Sequence, residues 1–249
     1  MRVAIVTVGD ELLVGDTVNT NAAWLGEQLT DRGATVERVI VIPDRIGDIA
    51  TVVNEARATH DAVLVTGGLG PTHDDVTMEG VASALGVEMA PHEDAIDWIE
   101  NESDYSHADL VDGTTDLPVG ARMLPNPEGV APGAVLTADD GVPVYVLPGV
   151  PDEMKAMFAL VADEFDGTPR TRRVLYTEEP ESALIERFHT VQERFDVTIG
   201  SYPGEVVRIT VTSGDEAEAT AAAEWLIDRV DTVSPPDEAE QPIDTDVDS

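Results

Sequence analysis

Apolar residues recur along the first half of the chain in two alternating patterns. Val3 to Val8 is almost continuously apolar, the pattern of a strand buried on both faces. Thr20 to Arg32 then sets Ala22, Leu25 and Leu29 on one helical face and stops near Gly33. Thr35 to Ile42 is β-branched and apolar again, and Ile46 to Thr59 repeats the helical period through Ile49, Val52, Val53 and Ala56. Ala62 to Thr66 is a third buried run, followed by a helix predicted over Val76 to Leu85 and closed by Gly86. Strands alternating with helices of this length predict an α/β fold with a mostly parallel sheet covered on both faces.

The middle of the chain is less regular. Pro91 to Glu102 fits a helix with Ala95, Trp98 and Ile99 as its apolar side. Ser103 to Gly133 is rich in Asp, Gly and Pro and reads as a long loop, a feature that is usually functional in a compact domain. Val142 to Leu147 predicts another central strand, and Pro148-Gly149-Val150-Pro151 turns the chain into a helix carrying Met154, Met157, Phe158 and Val161. Beyond Gly167-Thr168-Pro169 the signals change to a strand, a helix, two strands and a helix. That β-α-β-β-α order predicts a small α+β domain over residues 170–233, after a main domain over 1–166. Residues 234–249 read as a disordered acidic tail.

Composition narrows the class. The 249 residues are 42% hydrophobic, enough for a packed core. The sequence contains no cysteine, which removes disulfides, thiolate metal sites and cysteine nucleophiles. No apolar run is long enough for a membrane span, and the N-terminus has no signal-peptide pattern, so a cytoplasmic protein without a membrane partner is expected. The net charge of -36, with a single lysine, argues against nucleic acid as a partner. Because the acids are spread over nearly every helix and loop, adaptation to concentrated salt explains them better than a dedicated acidic surface.

The candidate chemistry gathers after the predicted strands, at the sheet edge where ligands of open α/β folds bind. Thr66-Gly67-Gly68-Leu69-Gly70-Pro71-Thr72-His73-Asp74-Asp75-Val76-Thr77 is the strongest signal. Glycines after a buried strand let backbone N–H groups approach a phosphate. Two adjacent aspartates there would repel that phosphate unless a divalent cation intervened. Gly9, Asp10 and Glu11 end the first strand and suit a metal, a substrate hydroxyl or the loop's own N–H groups. Asn19, Thr20 and Asn21 precede a helix that one of them caps, with a ligand contact as the alternative. Asp44 after Pro43 either caps the next helix or faces the ligand. Gly149 opens a further helix whose free N–H groups make a second anion site if the turn faces the cleft. His73 reads as solvent-exposed. No GxGxxG follows the first strand, and GxxxxGK[ST] and helically spaced histidine pairs are absent.

Taken in order, Gly9-Asp10-Glu11-Leu12-Leu13, Val18-Asn19-Thr20-Asn21, Thr66 to Asp75, Asn126-Pro127, Gly129, Ala131-Pro132-Gly133 and Pro148-Gly149-Val150-Pro151 resemble the molybdopterin-binding-type domain of CinA-like (competence/damage-inducible) proteins. The resemblance covers residues 1–165, and the region to about 233 resembles the small middle domain of the same proteins. It implies a three-layer α/β/α domain related to MogA and MoaB. In those relatives two aspartates matching Asp44 and Asp75 support adenylyl transfer to molybdopterin. In CinA-like proteins the domain is associated with metal-dependent hydrolysis of dinucleotide pyrophosphates such as ADP-ribose, and a related domain of FAD synthases with FAD hydrolysis.

Carried onto this chain, the resemblance implies Asp44 and Asp75 as catalytic residues. Gly9, Asp10, Glu11, Asn19, Asn21, Gly67, Gly68, Gly70, Thr72, Thr77 and Gly149 become substrate contacts, and Asp74, Asp75 and Glu11 ligands of a divalent cation, Mg²⁺ or Co²⁺. Molybdopterin is the ligand under the alternative reading, and a non-catalytic nucleotide-binding protein is the third. The related domains commonly self-associate, so a homo-oligomer is expected. Family members often continue into a nicotinamide-mononucleotide deamidase domain, which has no counterpart in this sequence, so no deamidation is assigned. A basic stretch of the family is replaced by the acidic Tyr105 to Asp116.

Overall fold

A computed structural model describes residues 1–101, 113–137, 139–167 and 170–235. The chain divides into two compact units, Met1–Gly167 and Thr168–Ser249. In the first, the elements run β1 (Arg2–Val8), α1 (Asp10–Val14), α2 (Thr20–Asp31), β2 (Thr35–Ile42), α3 (Ile46–Arg57), β3 (Ala62–Thr66) and α4 (Thr77–Leu85). Then follow β4 (Met89–Pro91), α5 (Glu93–Asn101), β5 (Asp116–Pro118), β6 (Arg122–Leu124), β7 (Gly133–Thr137), β8 (Pro143–Leu147), α6 (Pro151–Val161) and a 3-10 turn at Ala162–Phe165.

The main sheet has the order β2-β1-β3-β8-β7-β6. β2, β1, β3 and β8 pair in parallel, while β7 lies antiparallel to both β8 and β6. Alternate residues of the central strands feed two separate cores. Val3, Ile5 and Leu64 pack with Leu25 and Leu29 of α2 and with Met154 and Phe158 of α6. Ala4, Val6, Val63 and Val65 pack with Ile49 and Val53 of α3 and with Val81 of α4. A strand whose two faces are both covered is apolar at nearly every position, which explains the run Val3 to Val6 of β1. The result is the three-layer α/β/α architecture with a mostly parallel sheet.

Two expectations need correction. The segment read as one long loop to Gly133 contains β5 and β6, each only three residues long, and β4 pairs antiparallel with β5. Part of that loop, residues 102–112, falls outside the described residues, as does the predicted tail from 236 onward. Asp10 and Glu11 are not a simple loop but open the one-and-a-half-turn helix α1, which ends at Gly15 with φ 82°.

The second unit is built from β9 (Thr171–Thr177), α7 (Glu181–Arg194), β10 (Thr198–Tyr202), β11 (Val207–Ser213), α8 (Glu216–Ile227) and β12 (Thr232–Val233). A short closing strand, β12, thus completes the β-α-β-β-α order read from the sequence. Its sheet, ordered β10-β11-β9-β12, is antiparallel throughout. Leu184 and Val191 of α7 and Ala222, Ala223 and Leu226 of α8 cover one face through Val207, Ile209 and Val211. Among the described residues, no helix is long and apolar enough to cross a membrane.

Candidate functional site

In the first unit, a cavity of about 940 Å³ opens where β1, β3 and β8 end, between the turns that leave those strands. Gly67 takes φ 104°, and a methyl group there would collide with the Val8 carbonyl oxygen. Its N–H donates to the Leu147 carbonyl at 3.1 Å, and Thr77 N–H donates to the Gly68 carbonyl at 3.2 Å. The turn after β3 is therefore laced to the end of β8 on one side and to α4 on the other. An added Cβ at Gly149 would lie 3.3 Å from the Gly67 Cα, so the two turns touch.

The carboxylates are seated by backbone N–H groups and a hydroxyl of the neighbouring turns. Asp44 does not cap α3, whose N-cap is Arg45 without a side-chain bond. Its Oδ2 instead accepts the Asp10 N–H at 2.8 Å, tying the turn after β2 to the start of α1. The Asp44 carboxyl lies above its ordinary range, chiefly because burial penalises the charge, with the negative charges of Glu11, Asp10 and Asp74 adding to the effect against the Asp10 N–H. Asp75 does not cap α4 either, since Val76 holds that position. Its Oδ2 accepts the Thr72 N–H at 3.0 Å and lies in reach of the Thr72 hydroxyl, which also faces Asp74. That hydroxyl holds the exposed Asp74 carboxyl below the ordinary range. His73, as expected, is exposed, with Nδ1 3.7 Å from Asp74.

Asn19 is the N-cap of α2, accepting Ala22 N–H at 3.1 Å while its Nδ2 donates to Thr7 Oγ1 at 3.0 Å. Asn21 donates to the Gly149 carbonyl at 2.7 Å and leaves its buried Oδ1 without a partner. Pro151 occupies the first turn of α6 as the sequence suggested. Of the expected site residues, Gly9, Glu11, Asn19, Asn21, Asp44, Gly67, Gly68, Gly70, Thr72, Asp74, Asp75 and Gly149 all line the cavity. Asp10 and Thr77 do not. Asp10 contributes its backbone N–H, and Thr77 is fully buried against Gly68 with its hydroxyl unpartnered.

Glu79, Asp116, Glu128 and Glu153 also line the cavity and were not singled out from the sequence as ligand contacts. They come from α4, β5, the turn before β7 and α6, and only the fold brings them together. Glu153 is held by Asn126, whose Nδ2 donates to it at 2.7 Å and to the Ala131 carbonyl at 3.0 Å. The segment Asn126 to Gly129 was visible as a motif, and this pairing is its structural use. Among the described residues lining the cavity, eight carry carboxyl groups and none is Lys, Arg or His. The donor set is thus hard oxygen and net negative, which suits a hard divalent cation, although no three such side chains converge as a ready metal cage among the described residues.

Residues 4–173 match the model of a family described as a probable molybdopterin binding domain, and residues 169–236 that of the FAD synthase middle domain. A protein of Aeropyrum pernix is 50% identical over 164 residues, covering 63% of this chain and 59% of its own length. A protein of Thermococcus kodakarensis is 38% identical over 92% of this chain and 97% of its own length. A CinA-like protein of Frankia casuarinae is 40% identical over 94% of this chain but only 58% of its own length. Among solved structures, the protein CinA of Thermoplasma acidophilum, described as of unknown function, aligns with a TM-score of 0.62 and 36% identity. That alignment covers 67% of this chain and all of that one. On this coverage the chain belongs to the probable molybdopterin-binding domain family, with CinA-like relatives along most of its length.

Proposed function

We propose that the cavity is the active site of a metal-dependent nucleotide pyrophosphatase acting on ADP-ribose or a related dinucleotide. The observation that carries this reading is a glycine turn ringed by carboxylates with no cationic side chain among the described lining. A pyrophosphate entering such a site needs positive charge from elsewhere, and a divalent cation is the simplest source. Asp75, with Asp74 or Glu11, would hold that ion, which when bound neutralises phosphate charge and lowers the pKa of a water. N–H groups around Gly68 and Gly70 hold a phosphate, the Gly67 N–H being taken by the Leu147 carbonyl, and the turn at Gly149 gives a second contact. Asp44, whose partial burial raises its proton affinity, orients the attacking water or a ribose hydroxyl.

The test is turnover of ADP-ribose and FAD by purified protein with Mg²⁺ and with Co²⁺ at high salt. Asp75→Asn keeps an acceptor for Thr72 but removes the charge, so kcat should fall roughly 10²-fold or more. Full activity of that variant would refute the assignment. The match of residues 4–173 to a molybdopterin-binding family favours a second reading, in which the same cavity binds molybdopterin or receives an adenylyl group for it. Tight pterin binding with no nucleotide cleavage under any metal would select it.

A further inference from the structure

The small unit has a sheet face that the helices leave open, and its composition departs from that of the rest of the chain. Pairing register sorts the side chains. Val207, Ile209 and Val211 point into the core, so their neighbours face outward. Across the outer face, Tyr202 on β10, Arg208 on β11, Tyr176 on β9 and Val233 on β12 form one row. Gly200, Thr210 and Val174 form the next, and Thr198, Thr212 and Arg172 the third. Tyr202 and Val174 are 48% and 42% exposed and Arg172, Thr198 and Arg208 are exposed too, while Thr210 at the centre of the face is buried beneath these neighbours.

No carboxylate lies in these three rows, in a chain where 50 of 249 residues are Asp or Glu. Glu178, Asp196, Glu205 and Asp231, acids close by in sequence, all lie beyond the ends of the strands. Among the described residues, eight of the fourteen Lys and Arg side chains pair with a carboxylate, yet neither Arg172 nor Arg208 does. The Arg208 guanidinium instead lies 4.7 Å over the Tyr202 ring. Stacked in this way it keeps its N–H edges free for an anion. Gly200 supports the arrangement, since an added Cβ would meet the Tyr202 ring at 2.9 Å and Thr210 Oγ1 at 2.6 Å.

We propose that this face is a nucleotide-binding site, in which a base stacks against the Tyr202–Arg208–Tyr176 row and its phosphate pairs with Arg208 or Arg172. The rows are about 6.8 Å apart, so the two arginines bracket the length of the face. A ligand with a flat aromatic end and an anionic end complements this juxtaposition, whereas an apolar partner would leave the arginines unpaired. A long polyanion is disfavoured by the net charge of -36, which leaves a free nucleotide as the occupant. This site is independent of the cavity in the first unit and stands whether or not that cavity hydrolyses anything.

The experiment is photolabelling of the full chain with 8-azido-AMP, followed by peptide mapping and competition. Label is expected within residues 171–213, with AMP competing at least tenfold better than ribose 5-phosphate or inorganic phosphate. Arg208→Gln and Thr198→Glu should each reduce that label about tenfold with an unchanged far-UV circular dichroism spectrum, while Asp75→Asn leaves it intact. Thr198 is exposed, so its substitution keeps the test valid if Arg208→Gln folds poorly. Label confined to the first unit, or undiminished in both variants, overturns the proposal. So does equal competition by ribose 5-phosphate, or stronger competition by an oligothymidylate, which would make the face a polynucleotide surface.

Discussion

Replacing Gly67 by alanine tests whether the turn after β3 is forced into its path by the neighbouring strand. The backbone there has φ 104°, and an L side chain in that region costs about 1–2 kcal/mol. The unfolded chain loses freedom when Gly becomes Ala, which returns about 0.4–1 kcal/mol. Gly86 provides the control, because its φ is 69° and an added Cβ meets nothing within 4 Å. Gly86→Ala should therefore cost about 1 kcal/mol. At Gly67 the new methyl collides with the Val8 carbonyl oxygen, a backbone atom that cannot swing aside. Displacing packed backbone adds about 1–3 kcal/mol. Amide hydrogen exchange of β1 and β3, which reads local opening without assuming that two units unfold together, is the suitable assay. The β3 amides should exchange roughly tenfold to a hundredfold faster in Gly67→Ala than in Gly86→Ala. Equal rates in the two variants would mean that the turn yields, and that contact with Val8 does not fix it.

The Glu179 carboxyl is held down to about 2, first by its bond to Arg187 at 2.6 Å and then by the Asp231 N–H. A depressed carboxylate stabilises the fold above its unfolded value near 4.5 and loses that contribution as pH falls through about 2. After screening, this pair should account for about 1–2 kcal/mol of the second unit's stability across that window. Arg187→Leu should flatten the acid limb of its unfolding curve, and an unchanged limb would refute the linkage. With a net charge of -36, stability should rise with ionic strength, and a melting temperature constant down to millimolar salt would contradict the halophilic reading. Gly70→Ala should lower turnover much as Asp75→Asn does, because its Cβ would lie 2.6 Å from Asp75 Oδ2. The displaced atom is the tip of a side chain, so unfolding should shift by less than about 1 kcal/mol, and wild-type turnover would count against Asp75 as a catalytic residue.

Much of this fold was legible because its central strands are buried on both faces and its helices on one. The periods of β1, β3, α2 and α3 follow directly from that, whereas β2, the edge strand, is legible by its β-branched residues although half of it is exposed. β4, β5 and β6 have three residues each, too few for any period to register. β7 begins at Gly133, directly after Pro132 and a Pro- and Gly-rich segment, and so carries the signals of a turn into the sheet. The glycines and aspartates after β1, β2 and β3 could be placed on one sheet edge from strand order alone. Glu79 and Glu153 could not, because an acid in the first turn of a helix is already explained by the helix dipole. Only the tertiary fold turns those two acids toward the cavity.

The glycines of the site take a different meaning once the carboxylates are in place. A glycine turn after a strand suggests backbone brought close to a phosphate, and the sequence offers no other use for Gly67, Gly68 and Gly70. In the structure the space a Cβ would fill beside Gly9 is taken by Glu11, beside Gly70 by Asp75 and beside Gly129 by Glu153. At Gly68 it is shared by Thr77 Oγ1 and by Asp44 Oδ1, the latter at 3.2 Å. Each of these glycines thus lets an acidic side chain fold back against the main chain at the cavity wall. Carboxylates packed in this way lie beside backbone N–H groups, a pairing that would be repulsive for a bare phosphate and favourable for a phosphate arriving with a cation. The glycine loop and the adjacent aspartates, which look contradictory when read along the chain, are thus compatible in one site under the proposed reading, in which the ligand arrives with positive charge.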